Sequence, residues 1–166
     1  MTTPVSQTAA LSTLLLPAAI QLNLAGAGRD DVLREMVGLV PALAALPDAR
    51  EKLFRALVER ELLHSTGIGE GVAIPHARNA LVGLVDQPMI ALGRHQTGVA
   101  YGAIDGAPAR LFFLLIAPTV TQHLAMLARV SRLLRDRCLC ADLLSAPNPE
   151  AVLQLVCNAE ARMLVS

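Results

Sequence analysis

The sequence predicts an α/β (α+β) fold: a single-domain sandwich with a mixed central β-sheet flanked by helices. Three observations predict it. Apolar stripes at helical spacing alternate along the chain with short apolar strands, the pattern of packed helix and sheet layers. Residues 111–116 (Leu-Phe-Phe-Leu-Leu-Ile) form a continuous apolar run closed by Ala117-Pro118, as a central strand covered on both faces requires. The chain has 166 residues, 54% of them hydrophobic, with zero formal net charge, enough for one domain with a substantial core and too apolar for a disordered chain.

The elements follow in order. Residues 1–12 are mostly small and polar and are expected to be a flexible N-terminus, leaving 13–166 as the folded domain. Residues 20–24 (Ile-Gln-Leu-Asn-Leu) alternate like a half-buried strand. Asp30 or Asp31 can cap a helix whose apolar stripe is Val32, Leu33, Met36, Val37 and Val40, limited by Pro41. Asp48, with Glu51 three residues on, can cap a second helix that buries Leu53, Phe54, Leu57, Val58 and Leu62. Arg55, Glu59 and Arg60 lie off that stripe or on its margin. Residues 65–71 carry three alternating glycines and read as a loop, followed by a short strand at 72–74 that Pro75-His76 ends. Residues 89–92 are a further strand, and Asp105-Gly106 is a turn. Thr119 with Gln122 has capping-box spacing before a helix with Leu124, Leu127, Val130, Leu133 and Leu134. A shorter helix spans 138–144, and Asn148-Pro149 opens a last one through about Val156.

Composition narrows the function. With 14 Lys+Arg against 14 Asp+Glu and 2% aromatics, the chain offers nucleic acid neither a basic surface nor stacking rings. No apolar run approaches the ~20 residues a membrane span needs, so no membrane insertion is expected. Residues 14–24 lack a basic flank and are interrupted by Pro17, Gln21 and Asn23, unlike a signal peptide. The expected location is therefore the cytoplasm. Cys138, Cys140 and Cys157 fit no zinc or redox spacing and read as reduced, buried thiols on helices. The four histidines show no metal-site spacing, so no metal and no organic cofactor are expected.

The most unusual stretch is 65–78 (Ser-Thr-Gly-Ile-Gly-Glu-Gly-Val-Ala-Ile-Pro-His-Ala-Arg): a glycine loop feeding a strand that ends in histidine. It is not a phosphate-binding loop, since no Gly-Lys-Ser/Thr follows. Nor is it a dinucleotide fingerprint, since the glycines follow a helix and precede a strand. A neutral imidazole at a sheet edge is a competent nucleophile, and nearby amides and arginines can neutralise a phosphoryl group.

This stretch resembles the active-site signature of the enzyme IIA components of the bacterial phosphoenolpyruvate:sugar phosphotransferase system, in the fructose/mannitol and nitrogen-regulatory family. Further segments are similar in the same order: 14–24 with 30–39, Leu57-Val58-Glu59-Arg60-Glu61, 105–118, and the helix from His123-Leu124 through Leu134-Arg135-Asp136. The resemblance covers roughly residues 10–160. It implies that His76 accepts a phosphoryl group from an HPr-type phosphohistidine carrier, with His123 and Arg60 as its catalytic neighbours. Thr66, Gly67 and Gly69 would contact phosphoryl oxygens. His64, His95 and Arg78 match no required position and read as surface residues.

Two outputs are implied. A sugar-type member passes the phosphoryl group to a IIB transporter component. A nitrogen-type member acts on regulated target proteins according to its phosphorylation state. The Ser-Thr-Gly-Ile-Gly signature, in a chain without a fused transporter domain, is most like the nitrogen branch. The differing class is a protein-interaction module that is never phosphorylated. Departures from the family pattern at Gly98-Val99-Ala100-Tyr101 and at 137–140 bear on partner choice.

Overall fold

The computed structural model describes residues 10–79 and 83–165. Five strands form one mixed sheet in the order β1-β4-β5-β3-β2. They are β1 (Leu15–Gln21), β2 (Gly67–Gly69), β3 (Val72–Ala73), β4 (Met89–Val99) and β5 (Ala109–Ile116). β1 is parallel to β4, β4 antiparallel to β5, β5 parallel to β3, and β3 antiparallel to β2. The expected mixed sheet between helices is thus the architecture observed. Helices α1 (Leu11–Leu14), α2 (Arg29–Val37), α3 (Pro47–Leu63), α4 (Val120–Leu133), α5 (Arg137–Ser145) and α6 (Pro149–Val165) cover its faces.

The middle strand explains both cores. Side chains alternate across a strand. Leu111, Phe113 and Leu115 of β5 therefore pack with α4, α5 and α6 through Met126, Val130, Leu139, Leu143, Val152 and Val156. Phe112, Leu114 and Ile116 face α2 and α3 through Leu33, Met36, Leu53 and Leu57. Each large apolar side chain buried this way contributes roughly 1.5–3 kcal/mol.

Several boundaries differ from those read in the sequence, each for a physical reason. β1 starts at Leu15 and ends at Gln21, not 20–24. It is an edge strand, where Pro17 leaves no ladder bond unmade. β4 continues from Leu92 to Val99 despite its polar second half. Gly93 fits there because a Cβ would collide with Leu24 and Met36. Residues 67–69 of the glycine segment pair as β2 instead of looping freely, with the turn at Glu70 (φ 57) between Gly69 (φ 91) and Gly71 (φ 83).

The caps of α2 and α3 are also corrected. The residue before α2 is Gly28, with Asp30 and Asp31 inside the first turn. Glu35 instead accepts the amides of Ala25 and Gly26. α3 opens on Pro47 at its first position, so Asp48 lies in the first turn and caps nothing. Leu62 is 71% exposed and Leu124 59% exposed, while Glu61 and His123 take the buried positions. α6 runs nine residues beyond Val156. The expected caps at Thr119 and Asn148 are present: Thr119 accepts from Gln122 N–H at 3.2 Å and Asn148 from Ala151 N–H at 2.8 Å.

Of the expected flexible segment, residues 1–9 lie outside the described residues. Leu11 is buried, and its N–H donates to Glu160 at 2.7 Å. The cysteines lie on α5 and α6 as expected, but Cys138 and Cys157 are exposed and Cys140 is half-buried. Among the described residues, no helix is long and apolar enough to cross a membrane.

Candidate functional site

His76 stands where β3 runs out. Pro75 has no N–H to extend the ladder, yet its carbonyl accepts from Leu115 N–H at 3.0 Å. His76 then forms one further parallel bridge to Leu115. The side chain is held at the sheet end, 8% exposed. Its Nδ1 lies 2.6 Å from the Ile74 carbonyl oxygen. A carbonyl only accepts, so Nδ1 carries the proton and Nε2 keeps its lone pair. Burial pushes the His76 pKa below its ordinary value. The charge of Arg60 and the neighbouring His123 push the same way, against the Ile74 hydrogen bond. The ring is thus kept neutral and nucleophilic at Nε2.

His123 enters from the opposite element. The Thr119 cap starts α4, which places His123 in the first turn. Helical spacing aligns it with Met126, Val130 and Leu133 on the buried face. The two rings meet with centroids 5.6 Å apart and planes tilted by 52°. Burial lowers the pKa of His123 as well. An anion between the rings would also lie near the positive end of the α4 dipole.

Arg60 comes from the last turn of α3. Its Nη1 donates to the His64 carbonyl at 2.6 Å, which ties the guanidinium over the C-terminal end of α3, close enough for its charge to act on the His76 ring. With Leu62, Leu63, Ala77, Arg78 and Asn79 it lines a cleft of about 520 Å³. The three residues expected at the centre of the chemistry therefore come from three elements and converge on one end of the sheet. A nucleophilic nitrogen, a second imidazole and a guanidinium form a site suited to accepting and neutralising a phosphoryl group.

A family model described as "Phosphoenolpyruvate-dependent sugar phosphotransferase system, EIIA 2" matches residues 13–159. The chain belongs to this EIIA family. It is 37% identical to a "Nitrogen regulatory protein" of Pseudomonas aeruginosa, over 90% of this chain and 96% of that protein. It is also 37% identical to the "PTS system fructose-specific EIIABC component" of Bacillus subtilis, over 88% of this chain but 23% of that protein. Among solved structures, the nitrogen regulatory protein IIA-Ntr of Neisseria meningitidis superposes with a TM-score of 0.77 at 28% identity. That match covers 87% of this chain and 97% of the other.

The remaining residues expected at the EIIA site sit differently. Thr66 is buried, and both its donors face Glu61: its N–H at 2.9 Å and its hydroxyl. The Gly67 N–H donates to Ser65 Oγ at 3.0 Å. Gly69 pairs with Val72, four residues before His76, or about 13 Å of extended strand. The glycines shape the hairpin at this end of the sheet.

Two residues of this end were named in the sequence only as members of longer segments, with no role at the site. Glu61 is 5% exposed and accepts from Thr66 and from the hydroxyl of Tyr101 at 2.9 Å. Burial, then the charge of Glu61, push the Tyr101 phenol far above its ordinary pKa, so it stays a donor. The signal was a carboxylate four residues after Leu57, on the apolar stripe itself. His64 is exposed, and Arg78 is exposed on the cleft rim. His95 is tied on β4 by both ring nitrogens, to Gly26 O and Gly98 N–H, each at 2.9 Å. Among the described residues, no group of three or more His, Cys, Asp or Glu is placed to hold a metal ion.

Proposed function

We propose that this EIIA protein carries a phosphoryl group on Nε2 of His76, received from an HPr-type phosphohistidine carrier. The Nε2 lone pair forms the new N–P bond as the carrier's N–P bond breaks. Arg60 and His123 offset the charge of the transferring group. The observation that carries this reading is the Nδ1–H bond to Ile74, which leaves Nε2 as the nucleophile beside His123. Exposed Leu62 and Leu63, in the cleft with Arg60 and Ala77, and exposed Val120 and Leu124, on the first turns of α4 with His123, offer apolar surface on which a carrier protein can dock. The donor system sets the location proposed, the cytoplasm.

The output proposed is regulatory: the phosphorylation state changes which target proteins are bound. The similarity to a nitrogen regulatory protein over 96% of its length supports this. The sugar-type alternative, transfer to a IIB component, is supported by equal identity to a fructose-specific protein over 88% of this chain. The test is intact mass after incubation with phosphoenolpyruvate, enzyme I and the carrier. Wild type should gain one phosphoryl group, lost again in mild acid, and His76→Ala none. A folded wild type left unmodified by an active carrier would leave only the interaction-module reading. A purified IIB domain that drains the label would favour the sugar branch.

A further inference from the structure

Glu61 is a buried carboxylate that the phosphoryl chemistry above does not use. It is 5% exposed, and its partners Thr66 and Tyr101 are 4% and 3% exposed. Among the described residues, no lysine or arginine makes an ion pair with it. Its charge is instead met by three neutral donors: Thr66 N–H, Thr66 O–H and Tyr101 O–H. Tyr101 is itself fixed, its ring edge-on to Phe112 of the central strand at 5.5 Å. A buried charge is poor material for stability alone, since apolar side chains of similar volume commonly serve as well. Its placement calls for another explanation.

The hydrogen bonds run on from Glu61 to the reactive ring. Thr66, held through both donors, presents its carbonyl to Ile74 N–H at 3.0 Å. Ile74 presents its own carbonyl to His76 Nδ1 at 2.6 Å. From the carboxylate to the imidazole the connection is three successive hydrogen-bonded contacts between buried groups, joined through the backbone of Thr66 and of Ile74, so that fixing Thr66 fixes where the Ile74 carbonyl lies. We propose that Glu61 is a positioning residue for His76: by anchoring Thr66 it fixes the Ile74 carbonyl, and so the ring orientation and the tautomer that leaves Nε2 free. Thr66 and Tyr101 are the intermediate links. The interpretation rests on His76 being the phosphoryl acceptor, but its first readout is independent of phosphoryl transfer.

The experiment compares full-length wild type, Glu61→Gln and Tyr101→Phe by 15N NMR of the His76 ring at neutral pH. The same proteins are then assayed for phosphoryl uptake from the carrier. Wild type should be almost wholly the Nδ1–H tautomer. Glu61→Gln puts an amide donor against the donors of Thr66 and Tyr101. It should raise the Nε2–H tautomer to a detectable population and slow uptake about tenfold or more, with the KM for the carrier unchanged. Tyr101→Phe, which removes one donor and keeps the ring, should give a smaller change in the same direction. It also keeps the test decisive should Glu61→Gln fail to fold. A folded variant with lower melting temperature but an unchanged tautomer and uptake rate would overturn the proposal and leave Glu61 a structural residue. A wild type that takes up no phosphoryl group defeats the carrier reading instead, while the tautomer comparison still decides the role of Glu61.

Discussion

Two histidines on the same sheet differ in what their hydrogen bonds leave free. His76, at the end of β3, and His95, in the irregular half of β4, each have one ring nitrogen on a backbone carbonyl, Ile74 and Gly26 respectively. At His95 the second nitrogen is also taken, accepting the Gly98 N–H at 2.9 Å. At His76 the second nitrogen faces a site containing His123, 5.6 Å away between ring centroids. Both rings have a fixed tautomer. Of the two, only His76 keeps a ring lone pair unused, and only it has a second imidazole and an arginine as neighbours.

The comparison can be broken most forcefully at the two neighbours proposed to neutralise the phosphoryl charge. His123→Ala and Arg60→Ala should each leave His76 phosphorylatable but slow its uptake by roughly 10²-fold, the scale for removing one preorganised donor. Stopped-flow or quenched uptake assays check this. Rates within twofold of wild type would mean that the groups around His76 matter no more than those around His95.

A change of pH sharpens the difference. An unfolded His titrates near ~6.5, whereas burial holds folded His76 and His123 below their ordinary values. Between these two levels the unfolded chain binds more protons. Stability should therefore be greatest above about pH 6.5 and fall as the pH drops through the folded pKa values. Uptake should persist through pH 6.5 and decline only at lower pH, as the folded ring itself protonates. Denaturant melts and uptake rates across pH 4.5–8 measure both. An uptake midpoint at or above the ordinary histidine value would contradict the account.

The smallest effect on chemistry is expected at His95. His95→Ala removes two partly buried hydrogen bonds and should lower stability by about 1–3 kcal/mol while leaving uptake within about twofold. Chemical denaturation and the uptake assay read the two halves of that statement. Loss of uptake without loss of stability would erase the distinction between the rings.

Much of this contrast was legible in the sequence. The run of glycines into Pro75-His76, the Thr119 cap ahead of His123, and the apolar run of β5 each rest on local rules. What lay beyond local rules was which neighbour wins a buried place. In a helix, Glu61 is four residues from Leu57 and shares its face, whereas Leu62 is turned about 140° away by the 3.6-residue period. Apolar character pointed to Leu62, and geometry buried Glu61, because Thr66 and Tyr101 arrive from distant segments to satisfy it. Thr66 was legible as part of the site but not as a donor to Glu61. Similarly, Leu124 gave way to His123 because the buried face of α4 follows Met126, Val130 and Leu133. Pro47 takes the first helical position, which puts Asp48 inside the first turn rather than at the cap. The tertiary partners that decide such contests are absent from any short window of sequence.

The most direct test of the central claim is to determine which atom bears the phosphoryl group. The phosphorylated protein, labelled with 15N at histidine, should show 31P–15N coupling to Nε2 of His76, with Nδ1 still protonated. Coupling at Nδ1 of His76, or on His123 or His95, would contradict the account, because the Ile74 carbonyl would then not be setting the nucleophile.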